Sequence, residues 1–321
     1  MRACDRGFTV LETLVALLLT LVVTMAGLAL LNPHHLMAQV QDEAMDATQR
    51  VRVAMEAITR DLAMAGAGPY AGPRRGGLVQ WFAPALPRRV GLTGADSPWT
   101  ARADAITVAY VPVTYAQTTT AGATAGASGL TVNPAPNCPV GSSACGFRAG
   151  MTVVVFDDSG AHDMFRVTAV LGGTAQVQAH ASSLSHVYPA GSTVAQAESR
   201  TYYLDPTNNQ LRRYDGYQGD APVADNVVGL SFEYLGDGLL PLPLSMLSDG
   251  PWKGSGATQF DADLVGVRAI RISVRVQASL AAFRATGPAF VRPGTSRSSA
   301  HALPDVTVTT VVAPVNLRRD S

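Results

Sequence analysis

Charge is scarce in this chain. Of 321 residues only 15% are Asp, Glu, Lys or Arg, and the 24 basic and 24 acidic residues cancel to a net charge of zero. No nucleic-acid partner is expected, because such a binder needs a basic face to displace counterions from phosphates. Lysine is nearly absent: Lys253 is the only one, and the arginines are scattered rather than clustered. Signatures of catalysis are missing too. No P-loop, GxGxxG or G-x-S-x-G stretch occurs. Of the histidines (His34, His35, His162, His180, His186, His301), only the adjacent first two are close in sequence. That pair cannot easily face one metal from a helix. Structural or solvated histidines, no cofactor and no enzymatic activity are the expectation. The acidic run Asp157-Asp158-Ser159-Gly160 through Asp163 offers oxygen ligands for Ca²⁺ but lacks the terminal glutamate of an EF-hand loop. It reads first as a tight hairpin turn and only second as a calcium site at Asp157, Asp158 and Asp163. Cysteine is limited to three residues, Cys4, Cys138 and Cys145. The last two sit in the turn-rich loop NCPVGSSACG and can close a small disulfide ring in an oxidising compartment. Two free thiols or part of a metal site are the alternatives. By the chain-entropy model such a ring stabilises by about 2–3 kcal/mol at most.

What the chain does have is one long apolar run. Residues 6–31 read RGFTVLETLVALLLTLVVTMAGLALL, with no charged residue after Glu12. The 24 residues from Phe8 to Leu31 make about 36 Å of helix, enough to cross a bilayer core of about 30 Å with some tilt. Arg2 and Arg6 on one side and little charge just after Leu31 put the N-terminus in the cytoplasm, with the rest of the chain outside. That compartment agrees with a disulfide between Cys138 and Cys145. The basic residues abut the apolar run and the small residue Gly7 precedes it, so a cut there removes a leader and leaves the helix in place. Glu12 is the anomaly: an acid inside an apolar helix is either snorkelling to headgroups or functional.

The stretch Gly7-Phe8-Thr9-Val10-Leu11-Glu12, after a short basic leader and before an apolar helix, resembles the class III signal of type IV pilins and type II secretion pseudopilins. The resemblance implies that a prepilin peptidase, a membrane aspartyl enzyme, cuts after Gly7 and methylates the new amine of Phe8. It also implies that Glu12 pairs with the N-terminal ammonium of a neighbouring subunit as a filament grows. The physics agrees, since a carboxylate buried in a filament core needs an opposite charge.

Asn32-Pro33 is expected to interrupt the helix, because Pro33 lacks an N–H and disfavours helical backbone at Asn32. Beyond it Met37, Val40, Ala44, Ala47, Val51, Ala54, Ile58, Leu62 and Ala65 repeat at spacings near three and four, one apolar stripe for packing on a sheet. Gly66, Gly68 and Pro69 end it. The spacing then predicts strands at 105–113, 150–156, 163–171, 175–179, 227–235, 265–278 and 306–317, and a hairpin of 200–204 with 210–214 around DPTNN. Residues 114–129, a Thr/Ala/Gly tract, read as a mobile surface loop. Trp81, Trp99 and Trp252 fall in loops. The expected architecture is α+β: a long N-terminal helix, transmembrane in its first half and amphipathic in its second, packed on a β-rich, mainly antiparallel head. Its divisions are a leader (1–7), a transmembrane or filament-core helix (8–31), an amphipathic arm (32–68) and the head (69–321).

The stretches QRVRVAMEAITRDLAMAGAG, TYYLDPTNNQLRRYDG, VADNVVGLSFEYL, VRAIRISVRVQ and VVAPVNLR are similar to the PilW family of minor pilins. The related pseudopilin J component of type II secretion shares the arm and late strands. Residues 69–131 match nothing in either. The resemblance implies a minor pilin that primes type IV pilus assembly or sits near the tip. Its partners would be other minor and major pilins, the prepilin peptidase, the inner-membrane assembly platform, and lipid before assembly. A type II secretion pseudopilin is the runner-up. A permanently anchored, periplasm-facing binding module is the rival from a different class.

Overall fold

The computed structural model describes residues 9–172, 176–179, 183–254, 256–298 and 301–318. The chain divides into two compact units. One is Met1–Gln49 with Gln277–Asp305, and the other is Arg50–Val276 with Val306–Ser321. The expected α+β class holds: one long helix, α1, and a head whose strand pairs are all antiparallel among the described residues.

Helix α1 runs Val10–Met64, 55 residues without interruption. The helix continues past Asn32-Pro33 into the arm as expected, and the local interruption read there does not end it. Proline in a helix interior forfeits one backbone bond and costs about 3 kcal/mol, and the leucines, alanines and methionines around it favour helix enough to carry the chain through. Span and arm are therefore one element.

In the first unit Val40 of α1 clusters with Ala278, Phe283 and half-buried Leu303. Glu43 clamps the returning chain, accepting from the Ser279 backbone N–H at 2.7 Å and its hydroxyl at 2.5 Å. Residues 277–305 form no strand where described, only a 3₁₀ turn at Ala281–Phe283. Arg284 donating to Gln277 and Val291 N–H donating to Asp305 tie this segment to itself.

In the second unit Val51, Ala54, Ile58 and Leu62 of α1 are buried, as the stripe predicts. Asp61, placed off that stripe, is buried too. The helix stops at Gly66, whose φ of +78° favours glycine. A Cβ there would also come within 2.9 Å of the Asn316 carbonyl oxygen.

The strands follow in order. The first group is β1 (Ala85–Leu86), β2 (Ala105–Tyr110), β3 (Gln117–Thr119), β4 (Gly129–Thr131), β5 (Thr152–Phe156) and β6 (His162–Leu171). Next come β7 (Gln176–Ala179), β8 (Thr193–Gln196), β9 (Glu198–Asp205), β10 (Gln210–Tyr214), β11 (Asp220–Asp225) and β12 (Val227–Leu235). The last are β13 (Pro241–Leu242), β14 (Trp252–Lys253), β15 (Phe260–Asp261), β16 (Ala269–Val276) and β17 (Val306–Val312). They build a five-stranded sheet (β1-β2-β9-β10-β11), a six-stranded sheet (β3-β8-β5-β6-β7-β4), a four-stranded sheet (β13-β12-β16-β17) and the ribbon β14-β15.

Alternation decides the clearest of these. In β16, Ile270, Ile272, Val274 and Val276 are buried, while Arg271 and Arg275 take the other face. Phe232 and Tyr234 of β12 pair with Ile272 and Ile270. The strand expected over 265–278 is shorter, because Ala262–Gly266 forms a 3₁₀ turn capped by the Asp261 carboxylate. The β9–β10 hairpin forms as expected. Asp205 accepts from the N–H groups of Thr207 and Asn208 in its turn.

The tract 114–129 is not a mobile loop. It contributes β3 and the start of β4 to the six-stranded sheet, and bridges Thr120 to Val132 and Ala123 to Tyr188. Gln117, Thr118 and Thr120 are buried. Threonine suits a pleated surface, and alanine and glycine let strands approach closely, so a composition that looks like a linker here forms a sheet edge.

Candidate functional site

Gly7 and Phe8 lie outside the described residues. The site begins at Thr9, which caps α1. The Thr9 N–H donates to Glu12 Oε2 at 2.9 Å and its hydroxyl to the same oxygen at 3.0 Å; Glu12 N–H donates back to Thr9 Oγ1 at 3.3 Å. This is a capping box: Thr-x-x-Glu satisfies two backbone donors that a helix start otherwise leaves open. The carboxylate also lies at the positive end of the helix dipole. Glu12 is exposed and, among the described residues, its side chain is held only by Thr9.

Behind it, Val10–Ala29 is long and apolar enough to cross a membrane, and none of it is buried in the chain. Leu11, Leu14, Leu17, Leu18 and Leu21 are all exposed. The three threonines in this span turn inward to their own backbone. Thr13 donates to the Val10 carbonyl at 2.8 Å, Thr20 to Ala16 at 2.7 Å and Thr24 to Thr20 at 2.8 Å.

Cys138 and Cys145 are joined, with Cα atoms 4.5 Å apart. Cys145 is fully buried in the core of the six-stranded sheet with Ala116, Leu130, Val132 and Phe147. Asn137, immediately before the ring, donates to the Tyr115 and Gln117 carbonyls. The ring thus fastens the connection between β4 and β5 onto β3.

The three acids Asp157, Asp158 and Asp163 part company. Asp158 takes a bidentate pair from Arg74, 2.7 and 2.6 Å, which holds its carboxyl below the usual range. Asp157 caps its own turn through the Ser159 N–H and hydroxyl. Asp163 points elsewhere, accepting from Ser185 N–H at 2.8 Å, Ser185 Oγ at 2.6 Å and Tyr188 Oη at 2.8 Å. Burial and this carboxylate push the Tyr188 phenol well above its ordinary range. His186 Nδ1 is 2.7 Å from Ser185 Oγ. A single hydroxyl proton cannot serve both neighbours, so His186 Nδ1–H donates to Ser185, which donates to Asp163. The order is one that stabilises a carboxylate; it leaves Ser185 no proton to give to the imidazole.

The acids that do converge among the described residues are Asp249, Asp261 and Asp263, with ligand oxygens within 4.8 Å of one another. Asp261 is fully buried and already accepts from the Gly250 and Asp263 N–H groups. Burial, then Asp261 and Asp249, push the Asp263 carboxyl up. Sequence reading passed over this trio because its members come from two sides of the Trp252 ribbon. It also passed over the Thr9–Glu12 box, although Thr-x-x-Glu before an apolar run is its signature.

No family model matches the chain. No curated protein matches it. Among solved structures it is similar to a type IV-like pilin from Thermus thermophilus, 12% identical over 53% of this chain and 87% of that chain, with a TM-score of 0.20.

Proposed function

We propose that this chain is a pilin-type structural subunit: a minor pilin of a type IV pilus, cut after Gly7, N-methylated at Phe8, and added to prime assembly or sit near the tip. One observation carries the reading. A helix with no charge from Thr13 to Ala29 is left wholly unburied by its own chain and holds a single acid, Glu12, in its first turn. Such a surface needs an apolar surrounding, first lipid and then neighbouring helices. In this reading the prepilin peptidase and the inner-membrane platform act on a single-pass protein with its N-terminus cytoplasmic and its head periplasmic. Other minor and major pilins then replace the lipid, and Glu12 trades Thr9 for a neighbour's terminal amine.

Mass spectrometry of the mature protein is expected to find N-methylated Phe8 at the start; an intact leader in cells with active peptidase overturns the reading. Glu12→Ala is expected to leave membrane insertion intact and to lower recovery in sheared filaments about tenfold or more. A type II secretion pseudopilin shares the processing and differs in remaining with the secretion apparatus instead of sheared pili. A permanently anchored, periplasm-facing binding module is favoured by one observation, a cavity in the head. It predicts an uncut leader and no cofractionation with filaments.

A further inference from the structure

The head unit contains a cavity of about 230 Å³. Its walls are mostly apolar: Phe82, Leu86, Leu92, Met164, Phe165 and Leu184 supply much of the surface. A dry apolar cavity of about 150 Å³ is known to accept benzene, so this space suits one or two fused rings.

Among the polar groups on the wall, His162 stands out for its burial and its stacked ring. His162 opens β6, is only 5% exposed, and lies flat on Phe82 with ring centroids 4.0 Å apart and planes 9° from parallel. Among the described residues its ring makes one hydrogen bond, from Nδ1 to the Gly160 carbonyl oxygen at 3.4 Å. A carbonyl oxygen only accepts, so Nδ1 carries the proton and Nε2 is a bare acceptor. Burial pulls this imidazole down to about 4, which keeps it neutral near pH 7.

The charge on the wall argues against ionic ligands. Among the described residues no arginine or lysine lines the cavity, and Arg88, whose charge reaches His162, donates to the Pro98 and Gln259 carbonyls, so an anion finds no free cation on the wall. Asp163 is the one acid on the wall among the described residues, and three donors already occupy it, from Ser185 and Tyr188. A cation would have to displace them.

We propose that this cavity is a binding site for a small, neutral, flat molecule of one or two rings that carries a single N–H or O–H donor, which it gives to His162 Nε2. The apolar walls bind the ring body, and the imidazole selects for the donor. The inference does not depend on filament assembly.

The test is calorimetric titration of the full chain in lipid nanodiscs with indole, which has a ring N–H, and with benzofuran, which has the same shape and none. Empty nanodiscs serve as the blank. Saturable indole binding with a Kd on the order of 0.1 mM is expected, with benzofuran about tenfold weaker. His162→Phe keeps the stacked ring and removes the acceptor. It should bring indole down to the benzofuran level and leave benzofuran unchanged. Ala109→Leu, which fills the cavity from β2, should weaken both. Heat no greater than the blank, equal binding of the two probes to the unaltered chain, or an indole preference surviving in His162→Phe overturns the proposal. Should either variant fail to fold, ¹⁵N spectra of the histidine rings in the unaltered chain decide it. The His162 Nε2 resonance moves on adding indole if the proposal holds, and stays fixed if it fails.

Discussion

Two stretches of α1 place their apolar residues under opposite conditions. From Val10 to Ala29 the side chains are apolar nearly all round and the chain covers none of them. From Arg50 to Met64 only a stripe is apolar, and Val51, Ala54, Ile58 and Leu62 are buried by the head. Each stretch also carries one acid out of keeping with its surroundings. Asp61 is buried, and the fold supplies its partner from far along the sequence: Tyr202 on β9 donates to it at 2.6 Å. Glu12, among the described residues, has only the Thr9 of its own first turn. The second stretch is completed by the chain itself. The first presents an apolar surface that the chain leaves uncovered, and its acid is held, among the described residues, by its own helix cap.

The largest test of that contrast is truncation on each stretch. Leu62→Ala is expected to lower head stability by about 2–5 kcal/mol in denaturant unfolding, the range for a fully buried leucine. Leu18→Ala, on the exposed span, should change it by less than about 0.5 kcal/mol. Equal effects would mean that the first stretch also packs against its own head, and the contrast would collapse.

Acid separates the two regions next. His162 is held at about 4 against an ordinary 6.5, so below pH 6.5 the unfolded chain binds a proton that the folded head refuses. The stabilisation is complete above pH 6.5, is lost as pH falls from there to about 4, and levels off below. It amounts to about 3 kcal/mol. The pH dependence of unfolding over that window should be smaller by this amount in His162→Phe, while the helicity of the apolar span stays constant. A smaller effect is expected from Tyr202→Phe, which leaves Asp61 buried without its phenol donor. That loss is about 1–3 kcal/mol, and a double-mutant cycle with Asp61→Asn should show the two residues to be coupled.

Where periodicity was strong, the sequence was legible. The stripe through Ile58 and Leu62, the alternation in β16 and the Asp205 turn all lie where spacing puts them. The disulfide was legible as one of three alternatives from two cysteines in a turn-rich loop, and the structure joins them. What failed was composition used in place of pattern. The Thr/Ala/Gly tract looked like a linker, yet Gln117 and Thr120 are buried in a sheet. Pro33 reads as an interruption or kink in a helix that goes on, and its local penalty is small beside the hydrogen bonding of a 55-residue helix. Buried polar partners were the least visible. Asp61 looked like a solvated face residue because its partner, Tyr202, comes from a strand 141 positions away. His162 reads from the sequence as structural or solvated, and its stacking on Phe82, which buries it, is set by a fold that spacing does not spell out.

The threonines of the apolar span have a mechanical consequence. Thr13, Thr20 and Thr24 each spend their hydroxyl proton on their own helix. Along this surface no side-chain donor beyond the first turn has to be matched by a neighbour at a fixed height or angle. A helix of that kind meets adjoining helices through dispersion alone, which changes gently with small rotations and axial slips. A helix packed against this span would turn or slide on it at little cost in energy.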